Sequence, residues 1–170
     1  MICGIQLKTI KMTRNIAESD FDFIFELYTH PKTNPFLLYE LMSKEEFQSI
    51  FSELLSQNII YLFSENEQNI GMFKLIPYLH RTSHINYLGG LAIHPDFAGK
   101  GLGSKMIAEI LELGKQKGLK RIELSTAIYN KKAIKLYEKH GFAAEGILKN
   151  YTFLKSENQF VDEQLMAYLY

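Results

Sequence analysis

Three glycines, Gly99, Gly101 and Gly103, alternate with other residues in the segment LAIHPDFAGKGLGSKM, where an apolar run gives way to a helical stripe. At the start of a helix the first backbone N–H groups lack intrahelical partners, and the positive end of the helix dipole lies behind them. Glycines at such a place let a phosphate approach the backbone closely, so the chemistry on offer is anion binding. Spacing narrows the ligand. The phosphate loop of nucleotide hydrolases needs G-x-x-x-x-G-K followed by Ser or Thr, whereas here Gly103 is followed by Ser104 and then Lys105. The dinucleotide fingerprint G-x-G-x-x-G also fails, because Ser104 stands where a pattern starting at Gly99 wants its last glycine.

A second segment, TAIYNKKAIKLYEKHGF, places Asn130, Ala133 and Tyr137 at i, i+3 and i+7, on one face of a helix. Asparagine caps helices, and a neutral phenol can donate a proton. Upstream of the glycine loop, Gly89 and Gly90 interrupt an apolar run, which predicts a bulge that frees backbone N–H groups from a sheet. Such donors can stabilise a developing oxyanion. The base is open. His84 is the first choice because histidine titrates near neutrality. His80, His94, Glu123 and a water chain remain alternatives.

The two segments together resemble the GCN5-related N-acetyltransferase (GNAT) superfamily. Its pyrophosphate loop reads Gln or Arg, x, x, Gly, x, Gly or Ala between a strand and a helix; Gly101 and Gly103 match, and Ala98 departs from the first position. Its N-x-x-A-x-x-L-Y-x-x-x-G-F segment is matched by Asn130, Ala133, Leu136, Tyr137, Gly141 and Phe142. The resemblance covers roughly residues 70–170. It implies acetyl transfer from acetyl-coenzyme A to an amine by direct attack, without a metal. Gly99, Lys100, Gly101, Leu102, Gly103 and Ser104 would cradle the pyrophosphate; Leu91, Ala92 and Ile93 would line the pantetheine arm. Asn130, Ala133, Tyr137 and Lys139 would lie along the cofactor from the other side, with Tyr137 as general acid toward the departing thiolate. The acceptor expected is a primary amine of an amino acid, peptide or polyamine. A protein N-terminus or lysine is the alternative, and a non-catalytic acyl-coenzyme A-binding module a second one.

These residues need elements to hold them. Alternation over residues 5–9 predicts a first strand; Ser19 and Asp20 before Phe21, Ile24, Phe25 and Tyr28 predict a helix from about Asp20 to His30. Ser43 and Glu46 read as a capping box opening a second helix. Strands follow at 59–63 and 70–76 as a hairpin, then a strand from His84 to Pro95. A third helix runs from Gly101 to about Lys117, a strand covers 121–128, and a fourth helix spans Asn130 to His140. Strands at 142–149 and 159–169 close the chain. The order β-α-α-β-β-β-α-β-α-β-β predicts one mixed α/β (α+β) domain over residues 1–170. The resemblance makes its sheet mostly antiparallel and twisted, six to seven strands flanked by four helices.

Composition fits an ordered globular chain: 170 residues, 46% hydrophobic, 13% aromatic. The 19 basic and 19 acidic residues balance, which argues against nucleic-acid binding through overall basicity. Cys3 is the lone cysteine, so no disulfide forms within the chain. No signal-peptide layout or membrane-spanning apolar run is present, so a cytoplasmic protein without membrane partners is expected. A homodimer is left open. The charge is uneven. Residues 1–94 carry 7 basic and 10 acidic side chains, and residues 95–150 carry 11 and 6. The basic stretch suits an anionic cofactor; the acidic one leads to the expectation that the substrate is a cationic amine.

Overall fold

The computed structural model describes residues 12–170. The strand expected at residues 5–9, and Cys3, lie outside the described residues. The first described strand, β1, is Thr13–Asn15, a stretch that sequence periodicity did not single out. It pairs antiparallel with β2 (Ile60–Glu65) through all three of its residues. The remaining strands are β3 (Gln68–Pro77), β4 (Ile85–Ile93), β5 (Arg121–Ala127), β6 (Ala143–Leu154) and β7 (Gln159–Leu169). The helices are α1 (Phe21–Thr29), α2 (Lys44–Gln57), α3 (Leu102–Gln116) and α4 (Lys131–Lys139). Among the described residues this is the predicted mixed α/β fold, with seven strands and four helices.

The sheet order is β1-β2-β3-β4-β5-β7-β6. Every neighbouring pair is antiparallel except β4 and β5, which run parallel because α3 provides the crossover between them. The helices cover both faces. Ile107, Ile110 and Met106 of α3 and Tyr137 of α4 pack with Phe63, Phe73 and Ile122 on one face. Ile24, Leu27 and Tyr28 of α1 and Phe47 and Phe51 of α2 pack with Leu62 and Met72 on the other.

Local signals explain where helices begin. Ser43 Oγ accepts from the Glu46 N–H at 3.2 Å, and the Glu46 carboxylate accepts from the Ser43 N–H at 2.8 Å, the expected capping box. Helix α1 differs from expectation at its start: a 3-10 turn over Glu18–Asp20 precedes it. The Asp20 carboxylate turns back to accept from the Ala17 N–H and from the Arg14 guanidinium, both at 2.7 Å. Strand β6 runs five residues past its expected end at Lys149, because Thr152, Phe153 and Leu154 find partners in β7.

Candidate active site

The site is built where β4 and β5 part. The two strands pair only at Ile85 with Arg121, Asn86 with Ile122 and Tyr87 with Glu123, although both continue beyond. On its other edge β4 carries the bulge expected at the glycine pair. Met72 faces Ala92 and Lys74 faces Gly89, so Gly90 and Leu91 of β4 together oppose Phe73. Gly90 takes φ +56°, open to glycine at low steric cost, and a Cβ there would come within 2.9 Å of Lys74 Cε. Gly90→Ala is expected to cost about 1–2 kcal/mol from the left-handed backbone alone. Thermal unfolding should register a loss of roughly 2–8 °C at this chain length, and thiol release from acetyl-coenzyme A should fall with it.

The opening between the strands leads into a cleft of about 600 Å³. Leu91, Ala92 and Ile93 of β4 form one wall, and Asn130, Ala133, Leu136 and Tyr137 of the α4 region form the opposite one. Asn130 caps α4, its Oδ1 accepting from the Ala133 N–H and its Nδ2 donating to Thr126 Oγ1, both at 3.3 Å. Asn130→Ala is expected to cost about 1 kcal/mol of cap stability and to raise the KM for acetyl-coenzyme A. Asn130→Asp restores the cap oxygen without the amide donor, so it should recover the melting temperature but not that KM.

Tyr137 is 7% exposed and packs its ring against Phe142 at 5.7 Å between centroids. Burial, with Tyr87 nearby, raises its pKa well above the usual phenol value, so it stays protonated and able to donate at neutral pH.

The glycine loop lies at the N-terminus of α3. Gly99 and Gly101 take φ +79° and +75°, and a Cβ at either would meet nothing within 4 Å. The loop is therefore open in front of the first turn, and the N–H groups of Leu102 and Gly103 head the helix without intrahelical acceptors. An open cradle of amides, with Lys100 exposed beside it, fits a pyrophosphate, and the adjoining apolar walls fit the pantetheine arm of coenzyme A. Some side chains do other work. Leu102 is buried in the core, so only its backbone can face a phosphate. Gly103 also serves packing, since a Cβ there would press on Leu136 of α4 at 3.3 Å. Ser104 Oγ is bonded to His140 Nε2 at 2.6 Å, which fixes the end of α4 to the start of α3. Lys100 Nζ donates to the Asp96 carbonyl and lies over the Phe97 ring; Lys139 is exposed.

The histidines do not reach the cleft. His84 is exposed just before β4, at the end of that strand opposite to the bulge, and its carbonyl accepts from the Lys120 N–H. It is removed from the set by strand length: Gly90 is six residues further along, roughly 20 Å in an extended chain. His94 is held by Glu26 and by the Asp96 N–H. Glu123 is bonded to Tyr78 and Arg121.

The structure brings forward residues that the sequence reading missed. Glu163 of β7 lines the cleft and accepts from Ser125 Oγ and Thr152 Oγ1. Ser125 is in turn 2.8 Å from the Tyr87 hydroxyl. With Ser125 donating to the carboxylate, Tyr87 donates to Ser125, and a chain of hydroxyls runs from the strand opening to Glu163. Lys74 of β3 also lines the cleft, although it is only 5% exposed. Burial lowers its pKa, with Glu53 opposing the shift. A lysine inside the apolar run IGMFKLI was the available signal. Glu163 gave none, because acids alternate freely on half-exposed strands.

The acidic N-terminal stretch does not face the cleft. Among the described residues the cleft lining from that stretch includes Lys32 and Lys74 but no acid, so the expected source of a preference for a cationic amine is not there; the acid that lines the cleft is Glu163 of β7. Chain-segment charge is a poor guide here because Arg14, Lys44, Lys105 and Arg121 pair with acids away from the cleft. No helix among the described residues is long and apolar enough to cross a membrane.

Comparison with known proteins gives a consistent result. Residues 21–142 match the model of the acetyltransferase (GNAT) family, which extends the likeness back to α1. A Bacillus subtilis (strain 168) protein, provisionally named a ribosomal protein bS18-alanine N-acetyltransferase, is 29% identical, covering 85% of this chain and 89% of its own. The spermidine N(1)-acetyltransferase of Vibrio cholerae is 27% identical over 87% of each chain. The crystal structure of spermidine N-acetyltransferase from Vibrio cholerae in complex with CoA and spermine superposes with a TM-score of 0.79 at 25% identity, covering 92% of this chain and 94% of that one.

Proposed function

The chain belongs to the GNAT acetyltransferase family, an acyltransferase family that uses acetyl-coenzyme A, and on that premise we propose that it acetylates the primary amine of a small molecule. Acetyl-coenzyme A, when bound, supplies an activated acetyl thioester. The observation that carries the reading is the parting of β4 and β5 beside the Gly90 bulge, opposite Asn130 and Tyr137. A pantetheine arm can enter there as an added strand would, with the α3 amides holding its phosphates.

The protein's own groups then have distinct tasks. Backbone N–H groups freed at the bulge would meet the thioester oxygen as negative charge develops on it; one donor of this kind is worth about 2.7–4 kcal/mol. Tyr137 would give its proton to the departing sulfur. Glu163, directly or through Ser125 and Tyr87, would take the proton of the attacking amine.

The name of the Bacillus subtilis relative supports a second reading, in which the acceptor is the N-terminal amine of a protein. The test is release of free thiol from acetyl-coenzyme A across amino acids, polyamines and a short peptide with N-terminal alanine. Release with a small amine supports the proposal, and release with the peptide alone supports the second reading. Silence with every amine would remove the proposed activity.

A further inference from the structure

Three charged side chains line the cleft with no ion pair to offset them among the described residues: the exposed Lys32, the buried Lys74 and, of opposite sign, Glu163. Lys74 is buried among the rings of Tyr28 and Tyr39, its Nζ 5.7 and 5.1 Å from their centroids, and it forms no ion pair or hydrogen bond among the described residues. Glu53 acts on it only at a distance. Beside it the Tyr28 hydroxyl is buried without a hydrogen-bond partner. Burying an ammonium away from water is costly unless an anion compensates, and two aromatic faces compensate only in part. Glu163, by contrast, is held by neutral hydroxyls alone. Arg121, Glu123 and Glu145 pair among themselves and do not line the cleft.

Resting on the acetyltransferase reading, we infer that the acceptor is an amine that also carries a carboxylate, an α-amino acid with an apolar side chain, its carboxylate held by Lys74 and its amine turned toward Glu163. A zwitterion would complete both groups at once, whereas a polyamine would bring further positive charge against a buried lysine. The remaining walls, including Phe36, Leu37, Ile76 and Leu154, offer apolar surface to a side chain. The Lys74 position, opposite Gly89 and next to the bulge, sets the carboxylate close to where the acetyl group must arrive.

The test compares L-leucine with isopentylamine and L-phenylalanine with phenethylamine, pairs that differ in the carboxylate alone, together with spermidine. Each is titrated calorimetrically into the protein saturated with coenzyme A, and each is run in the thiol-release assay. The amino acids are expected to bind at least about tenfold more tightly than their decarboxylated partners, the scale of one hydrogen bond to a charged group. Lys74→Met should shrink that ratio about tenfold, and Lys74→Arg should keep its direction. Because Lys74→Met removes a buried charge that no ion pair offsets, its melting temperature should hold or rise. Should it fail to fold, the wild-type pairs and Lys74→Arg still decide. Equal affinities within each pair, tighter binding of spermidine, or an unchanged ratio in Lys74→Met would overturn the carboxylate site. The two readings fail differently. Carboxylate-dependent binding without thiol release would end the acetyltransferase reading and keep this site, while brisk release with isopentylamine and spermidine would do the reverse.

Discussion

Tyr137→Phe is expected to lower kcat by roughly a hundredfold or more, the scale of general acid catalysis, while the affinity for coenzyme A stays within a few-fold. The substitution deletes one hydroxyl and keeps the ring that packs on Phe142 in the core under α3 and α4. A structural role would therefore survive it. The phenol suits the task because burial disfavours its anion, so the proton is present at any working pH below the ordinary tyrosine range. The sign of that shift also has a stability consequence. A phenol whose pKa is raised by folding contributes fully below pH 10, and its contribution is lost as pH rises above that unfolded value. Single-turnover kinetics read the chemical step directly. An unchanged rate in Tyr137→Phe would remove the residue from the reaction and return it to the core.

Glu163→Gln is expected to have a comparable effect, a fall in kcat of about 10²–10⁴-fold, with coenzyme A binding preserved. Glutamine keeps the shape of the side chain, and the hydroxyls of Ser125 and Thr152 can rotate to serve its amide as they serve the carboxylate. The negative charge and the capacity to accept a proton are lost together. Glu163→Ala supplies the contrast, because it also breaks the hydroxyl chain from Tyr87. If Glu163 only braces β5, β6 and β7, the glutamine variant should turn over at the native rate and the alanine variant alone should suffer. Ser125→Ala separates direct acceptance from relay. A relayed proton needs the Ser125 hydroxyl, so its loss should lower kcat in that case.

Much of the site was legible because its signals are local. The glycines of the loop, the Asn130 cap and the Asn130-to-Tyr137 spacing act within one turn or one helix, so residue type and separation suffice to read them. The capping box at Ser43 and the bulge at Gly90 were readable for the same reason. Misreadings arose where strand order mattered. His84 was chosen for being a titratable group on the same strand as the bulge, yet β4 is nine residues long and lines the cleft only from Tyr87 onward, away from the end that His84 precedes. The short β1 escaped notice because three residues carry too little periodicity to register.

The sequence by itself determined the family, the alternation of strands and helices, the glycine loop at the start of α3 and the helix face that carries Asn130 and Tyr137. These follow from backbone and side-chain preferences that act between residues close in the chain. Only the tertiary structure decided which side chains from other strands share the cleft. Lys74, Tyr87, Ser125 and Glu163 lie on β3, β4, β5 and β7, up to 89 positions apart, and the sheet order alone gathers them. The parting of β4 from β5 then opens the space between them. Charge followed the same rule. Totals over a chain segment pointed to a cationic substrate, but the charged side chains that line the cleft are Lys32, Lys74 and Glu163, drawn from both halves of the chain. An electrostatic preference is set by which charges are desolvated and unopposed at the site, and that is a property of packing.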